Sequence, residues 1–127
     1  MLINTPISLG ELVDKISILM VKQTNIKNND KLVQVNKELN YLQEILNNHV
    51  TKDGIDVFLN SLIDINSKLW VIEDEIRDCE RMKQFDQKFI ELARSVYFTN
   101  DKRAKIKLDI NNKFGSELVE VKSYEEY

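Results

Sequence analysis

Apolar residues recur at helical spacing along the first third of the chain. The segment SLGELVDKISILMVKQ begins with Ser8, and Glu11 follows three residues later, which is the pattern of a helix-capping box. The apolar residues that then share one helical face are Leu12, Ile16, Leu19 and Ile26. This pattern predicts a first helix that begins at Ser8 and ends near Lys27.

Two heptad-like seams follow this helix, with a polar turn between them. The second helix is expected to begin after Asp30, and its apolar stripe consists of Leu32, Val35, Leu39, Leu42 and Leu46. The third has a stripe of Phe58, Leu62, Ile65, Leu69, Ile72, Ile76 and Cys79, which predicts a helix of about 25 residues. Because the turn is short, the pattern predicts that these two helices form a long antiparallel hairpin.

The remaining part of the chain predicts two shorter helices. Phe85, Phe89, Leu92 and Val96 form the stripe of a fourth helix. Thr99 or Asn100 can cap a new helix, so we expect a break at residues 98–101. Apolar and polar side chains alternate in residues 104–110 as in a β-strand. A β-hairpin with residues 117–122 is therefore the alternative to a helix here. The cap before this segment, the stop at Gly115 and the lack of further strands favour a helix.

These elements predict a single all-α domain over residues 1–127. Its expected architecture is a bundle of five helices, built on the long hairpin with three shorter helices packed around it. A short irregular segment follows at the C-terminus.

Composition narrows the class of protein. The chain has 127 residues, of which 43% are hydrophobic and 31% charged, with a net charge of -3. It has one cysteine, Cys79, and one histidine, His49, so an internal disulfide is excluded and a zinc site of the Cys/His type is not expected. The N-terminus does not resemble a signal peptide, and no apolar run is long enough to span a membrane. We therefore expect a cytoplasmic protein.

Arginine placement suggests one candidate site. The chain has four Arg, at positions 77, 81, 94 and 103, within one quarter of its length. A guanidinium group can bind carboxylate or phosphate through two parallel hydrogen bonds. The candidate ligand-binding residues are Glu73, Asp74, Arg77, Arg94, Tyr97, Asn100, Asp101 and Arg103. The sequence favours a different role for these residues, an ion-pair network in which Glu73, Asp74 and Asp78 neutralise Arg94 and Arg103, and the ligand site is the alternative.

Two further kinds of chemistry receive less support. The segment from Arg94 to Lys107 contains five basic residues and one acid, with aromatic residues among them, which can indicate nucleic-acid binding. The patch is small and the protein is acidic, which argues against this function. The acidic run EDEIRDCE supplies only half of the carboxylate pattern of a helical magnesium site, so no metal or other cofactor is predicted.

Several segments together resemble a known family. These are SLGELVDKISIL, LWVIEDEIR, FDQKFIELARSVYFTNDKRAKIK and GSELVEVKSY, and the similarity is clearest in Ala93-Arg94, Val96-Tyr97, Asn100-Asp101 and Arg103-Ala104. The chain is similar to short uncharacterised proteins of bacteria and phages, a domain of unknown function found near polysaccharide and glycosyltransferase genes. The resemblance implies a self-contained domain whose C-terminal segment is part of the fold, and it transfers no catalytic or binding role.

The sequence thus favours a binding or interaction module, because no complete catalytic constellation is present. The alternative is a helical enzyme or binder of an anionic metabolite, such as a nucleotide, nucleotide sugar or sugar phosphate. The heptad seams and Trp70 also leave room for a homodimer.

Overall fold

The computed structural model describes residues 1–127 and contains four α-helices and no strand. They are α1 (Leu9–Asn25), α2 (Asn29–Asn47), α3 (Lys52–Arg81) and α4 (Gln87–Phe114). The predicted all-α class is confirmed, whereas the predicted number of five helices is wrong. The helix α3 has 30 residues and is longer than its apolar stripe indicated.

Side chains that accept hydrogen bonds from free backbone amides cap the N-termini of α1, α2 and α4. The hydroxyl of Ser8 accepts from the N–H of Glu11 at 3.1 Å, as the capping-box pattern predicted. Asn28, and not Asp30, caps α2 by accepting from the N–H of Lys31 at 3.0 Å. Gly115 ends α4 in the left-handed conformation with φ of 67°, which confirms the predicted stop.

The break predicted at residues 98–101 is absent, because α4 continues through it as one helix. The residues with capping ability have other partners there. The side-chain oxygen of Asn100 lies 3.4 Å from Arg103 Nη1, and Asp101 accepts a hydrogen bond from the hydroxyl of Tyr127. Neither Gly nor Pro interrupts this segment, so nothing forces the helix to end. The helical interpretation of residues 104–110 is confirmed.

The helix α1 lies at the centre of the bundle, and this corrects the predicted hairpin. It packs against α2, α3 and α4, while α3 packs along α4; α2 and α3 make no extended contact. The apolar stripes of α2 and α3 are largely buried as predicted. Most of the α2 stripe, and Phe58 and Leu62 of the α3 stripe, lie in a common core with α1. An apolar stripe shows that a helix has a partner without showing which helix the partner is.

A glycine allows α1 to approach α4 closely. A Cβ atom on Gly10 would lie 2.4 Å from the carbonyl oxygen of Lys107, so only glycine fits this contact. The N–H of Gly10 donates to Asn111 Oδ1 at 2.7 Å, and the N–H of Leu9 donates to Ser116 Oγ at 3.1 Å. Residues at the end of α4 therefore satisfy amides that the first turn of α1 leaves open.

The C-terminal segment, residues 116–127, returns along α4 and is called the tail below. Glu120 pairs with Lys107, and the ring of Tyr127 lies against those of Tyr97 and Phe98, with centroids 5.4 and 4.9 Å apart. The tail has no regular secondary structure, so the alternative of a β-hairpin with residues 117–122 is wrong. The expected short irregular C-terminal segment is observed.

Candidate functional site

A buried polar cluster joins α1, α3 and α4. The carboxylate of Asp14 on α1 is completely buried, and Arg103 on α4 donates to both of its oxygens, from Nε at 2.9 Å and from Nη2 at 2.5 Å. The amide of Asn66 on α3 donates to Asp14 Oδ1 at 3.0 Å and to Ser17 Oγ at 2.7 Å. The cluster thus holds the guanidinium of Arg103 in one orientation.

Lys107 extends this cluster towards the tail. Its side chain is 9% exposed, and its Nζ lies 2.8 Å from Glu11 and 2.7 Å from Glu120. Burial alone would lower the pKa of Lys107, but its hydrogen bonds to these two carboxylates raise the pKa overall. The hydrogen bonds that Arg103 donates to Asp14 likewise raise the pKa of Arg103. Both side chains are therefore held as cations.

The ion-pair partner of Arg103 differs from the predicted one. The predicted partners were Glu73, Asp74 and Asp78, but the ion pair forms with Asp14, which precedes Arg103 by 89 residues. One signal was available, because Asp14 interrupts a run of residues that are apolar around much of the helix surface. An acid in such a position needs a buried partner.

A groove of about 500 Å³ opens beside the polar cluster, between α1, α3 and α4. Its lining residues are Ile18, Val21, Asn66, Leu69, Trp70, Glu73, Asp74, Arg77, Asn100 and Arg103. Of the eight candidate site residues, the structure brings five together here: Glu73, Asp74, Arg77, Asn100 and Arg103. Asn66, which is not among the predicted site residues, also lines the groove and holds Asp14 beneath it.

The other three candidates lie outside the groove. The guanidinium of Arg94 lies 5.7 Å from the ring centroid of Phe98, Tyr97 contacts Tyr127, and Asp101 binds the hydroxyl of Tyr127. Because α4 is a single helix, positions 94, 97 and 101 form one stripe, and positions 100 and 103 belong to another. The expected break would have allowed all of them to face one site.

The groove has no free positive charge. Arg77 Nη1 lies 2.8 Å from Glu73 Oε2 in an exposed pair, and Arg103 is paired with Asp14. Asp74 makes no ion pair, so the groove has no excess of positive charge. Trp70 is partly buried in the wall and offers an aromatic surface. The arrangement offers hydrogen-bond donors and acceptors beside apolar side chains, which is typical of small-molecule sites.

The ion-pair network expected between α3 and α4 does not form. Arg77 pairs with Glu73 and Arg81 with Asp78, both within α3, and no ion pair joins α3 to α4. Arg94 has no carboxylate partner. The acidic end of α3 and the basic residues of α4 therefore do not neutralise each other inside one chain.

No group of three or more His, Cys, Asp or Glu side chains is arranged to hold a metal ion. None of the four helices combines the length and the apolar content that are needed to cross a bilayer.

The fold and the groove define a small all-α protein in which a central helix supports a solvent-accessible cleft of mixed polar and apolar lining. The chain belongs to a family of unknown function, DUF6165, whose model matches residues 3–127. The resemblance to a domain of unknown function is therefore confirmed over almost the whole chain. No curated protein and no solved structure matches it significantly.

The tail contact leads to a prediction about pH. The hydrogen bond from Lys107, and then that from Lys122, lowers the pKa of Glu120 from 4.5 to about 2. Because this folded-state pKa is depressed, the stabilisation from Glu120 is complete above its ordinary pKa and is lost as the pH falls towards 2. We expect the ring-proton NMR signals of Tyr127 to keep their docked positions at pH 5 and to shift towards free-tyrosine values only near pH 2.

Glu120→Gln should release the tail partly at neutral pH, since it removes the charge that Lys107 and Lys122 hold. Glu117→Gln is the matched control, because Glu117 lies in the same segment and makes no ion pair. Equal displacement of the Tyr127 signals in the two variants would show that the Glu120 pair does not hold the tail.

Proposed function

We propose that the protein is a binding module that holds a small polar molecule in the groove between α1, α3 and α4. The observation that carries this proposal is the fixed position of Arg103 at the groove. Its Nε and Nη2 are held by the buried Asp14, while Nη1 makes only the 3.4 Å contact to Asn100. A donor already held in place loses little conformational entropy when a ligand binds.

The pairing of both groove arginines bears on the chemistry of the ligand. A nucleotide or other multiply charged anion would need unpaired cations, and both groove arginines already have carboxylate partners. We therefore propose a ligand that is neutral or carries one negative charge. A single carboxylate or phosphate can replace Glu73 on Arg77, because that ion pair is exposed and weak.

A ligand with one negative charge would be one of the anionic metabolites that the sequence offers as an alternative. The observation that favours it is the exposure of the Arg77 side chain, which is 63% accessible to solvent. The side chains that line the groove include no nucleophile with a base beside it. The proposal is therefore ligand binding and not a catalysed reaction.

Nucleic-acid binding receives less support from the arrangement of the basic segment. Arg103 and Lys107 turn inward into ion pairs, and Lys105 pairs with Asp109 on the same helix. Fewer free cations are thus left to contact a phosphate backbone. A cytoplasmic location and a bacterial or phage source stay predictions of the sequence.

The proposed function predicts a ligand-dependent rise in melting temperature. A panel of neutral, singly charged and multiply charged small molecules would be screened by thermal shift, with each hit titrated by calorimetry. A ligand at 100 times its dissociation constant stabilises the folded protein by about 2.7 kcal/mol. We expect Arg77→Ala to weaken binding of a singly charged hit about tenfold or more, because its guanidinium lines the groove.

Arg81→Ala is the matched control for this experiment. Arg81 lies one turn further along α3 and forms a similar exposed pair with Asp78, but it does not line the groove. Both variants should lose less than about 1 kcal/mol of stability. Equal affinity losses in the two variants, or a panel in which only multiply charged anions bind, would contradict the proposed site and its ligand class.

A further inference from the structure

The charged side chains that α3 contributes to the groove form a short row. Glu73 and Asp74 follow Trp70 by three and four residues, and Arg77 follows the two acids by four and three residues. Residues three or four positions apart are neighbours on a helix surface, with Cβ atoms about 5–6 Å apart. Along this wall, the groove therefore presents an aromatic ring, then two carboxylates and then one guanidinium group.

The carboxylates of the groove outnumber the cations that can pair with them. Arg77 pairs with Glu73 at 2.8 Å, and Arg103 is held by the buried Asp14. Both groove arginines thus have other partners, and the exposed carboxylate of Asp74 pairs with neither. A cationic group of a ligand has a free carboxylate to bind at this position.

A ligand carboxylate that binds Arg77 increases this need for a cation. It displaces Glu73 from the guanidinium group, and Glu73 and Asp74 are then adjacent carboxylates without a counter-ion. Like charges this close repel each other and also repel the incoming anion. A ligand whose only charged group is negative therefore loses part of what it gains at Arg77. A ligand that also carries an ammonium group supplies the missing cation.

The aromatic ring of Trp70 favours an ammonium group at the same place. A cation within about 6 Å of the centroid of a tryptophan ring is attracted by the negative charge of the ring face. Trp70 lines the groove one helical turn before Asp74. An ammonium group between these two side chains has a carboxylate on one side and an aromatic ring on the other.

We propose that the ligand of the groove is a small zwitterion whose ammonium and carboxylate groups are attached to the same or to neighbouring carbon atoms, as in an α-amino acid. Its carboxylate binds Arg77 and its ammonium group binds Asp74, which lie one turn apart. The rest of the molecule extends past Trp70 towards Asn100 and Nη1 of Arg103. Such a ligand is neutral overall, and this inference rests on the ligand-binding function proposed above.

Calorimetric titration of the full chain with the common L-amino acids tests the inference. For the amino acid that binds most tightly, two matched probes are titrated as well: the amine that lacks its carboxylate and the acid that lacks its ammonium group. We expect each probe to bind about tenfold or more weakly than the amino acid, because each loses one charged hydrogen-bonding group.

Asp74→Asn tests the position of the ammonium group. It should weaken binding of the amino acid about tenfold or more, since the amide has no charge, and it should leave the affinity for the acid that lacks the ammonium group unchanged or higher. Glu75→Gln is the matched control, because Glu75 is the next carboxylate on α3, is also exposed and does not line the groove.

The outcomes separate this inference from the proposed function. Equal effects of Asp74→Asn and Glu75→Gln on amino-acid binding would overturn the inference, as would an amino acid that binds no more tightly than its two probes. If no amino acid binds while another small molecule binds in an Arg77-dependent manner, the inference is wrong and the proposed function stands. If no molecule of either set binds, both are wrong.

Discussion

Replacing Asp14 with alanine should lower the free energy of unfolding by about 3–5 kcal/mol, the range found when one partner of a buried ion pair is removed. The carboxylate is completely buried and accepts hydrogen bonds from Arg103 and Asn66. Its loss leaves the guanidinium of Arg103 without its counter-ion and leaves Asn66 with Ser17 as its remaining partner. Since small domains are stable by only about 5–15 kcal/mol, this loss is a large part of the total.

Urea denaturation followed by circular dichroism measures this effect. Asp109→Ala is the matched control, because it removes an exposed helical carboxylate that pairs with Lys105 at 3.0 Å, and it should cost less than about 1 kcal/mol. A double variant, Asp14→Leu with Arg103→Met, should lose less than the sum of the two single variants, since neither charge is then left unpaired. If Asp14→Ala is no more harmful than Asp109→Ala, the buried cluster does not stabilise the fold.

Gly10→Ala should destabilise the protein by about 1–3 kcal/mol, as insertion of a methyl group into a filled space commonly does. The added Cβ would meet the backbone oxygen of Lys107 at 2.4 Å and the side chain of Asn111 at 3.0 Å. A backbone atom cannot rotate away, so α1 and α4 would have to separate. Separation would weaken the hydrogen bond from the Gly10 amide to Asn111 and the core contacts of α1.

Gly54→Ala provides the comparison for this prediction. The nearest atoms to a Cβ on Gly54 are 3.4–3.6 Å away, which is ordinary contact, and alanine is the better helix former by up to about 1 kcal/mol. We therefore expect opposite signs, with Gly54→Ala neutral or stabilising. A Gly10→Ala variant as stable as Gly54→Ala would show that the two helices can adjust without cost.

Local features of the chain were predictable because their causes lie within a few residues. The hydroxyl of Ser8 caps an amide three positions away, and Gly115 ends α4 through its own backbone conformation. The apolar stripes of the second and third helices marked buried positions correctly. These properties depend on helical periodicity and terminal hydrogen bonds, which are nearly independent of the rest of the fold.

The candidate site was only partly predictable. Arg77 and Arg103 were selected for their chemistry, and the structure places both at one groove. Arg94 had the same chemistry in the sequence, but it lies on another face of α4. The difference arises from the continuity of α4 through residue 100, where Asn100 and Asp101 contact Arg103 and Tyr127 instead of capping a new helix.

The sequence by itself determined that this protein is helical, where most of its helices begin and end, and which faces they bury. Only the tertiary structure decided that α1 is the central helix, that Asp14 and not Glu73 neutralises Arg103, and which candidates share a groove. The physical reason is distance along the chain. Helical periodicity acts over a few residues, whereas the choice of partners depends on side chains that meet across 89 positions and on how closely Gly10 lets two backbones approach.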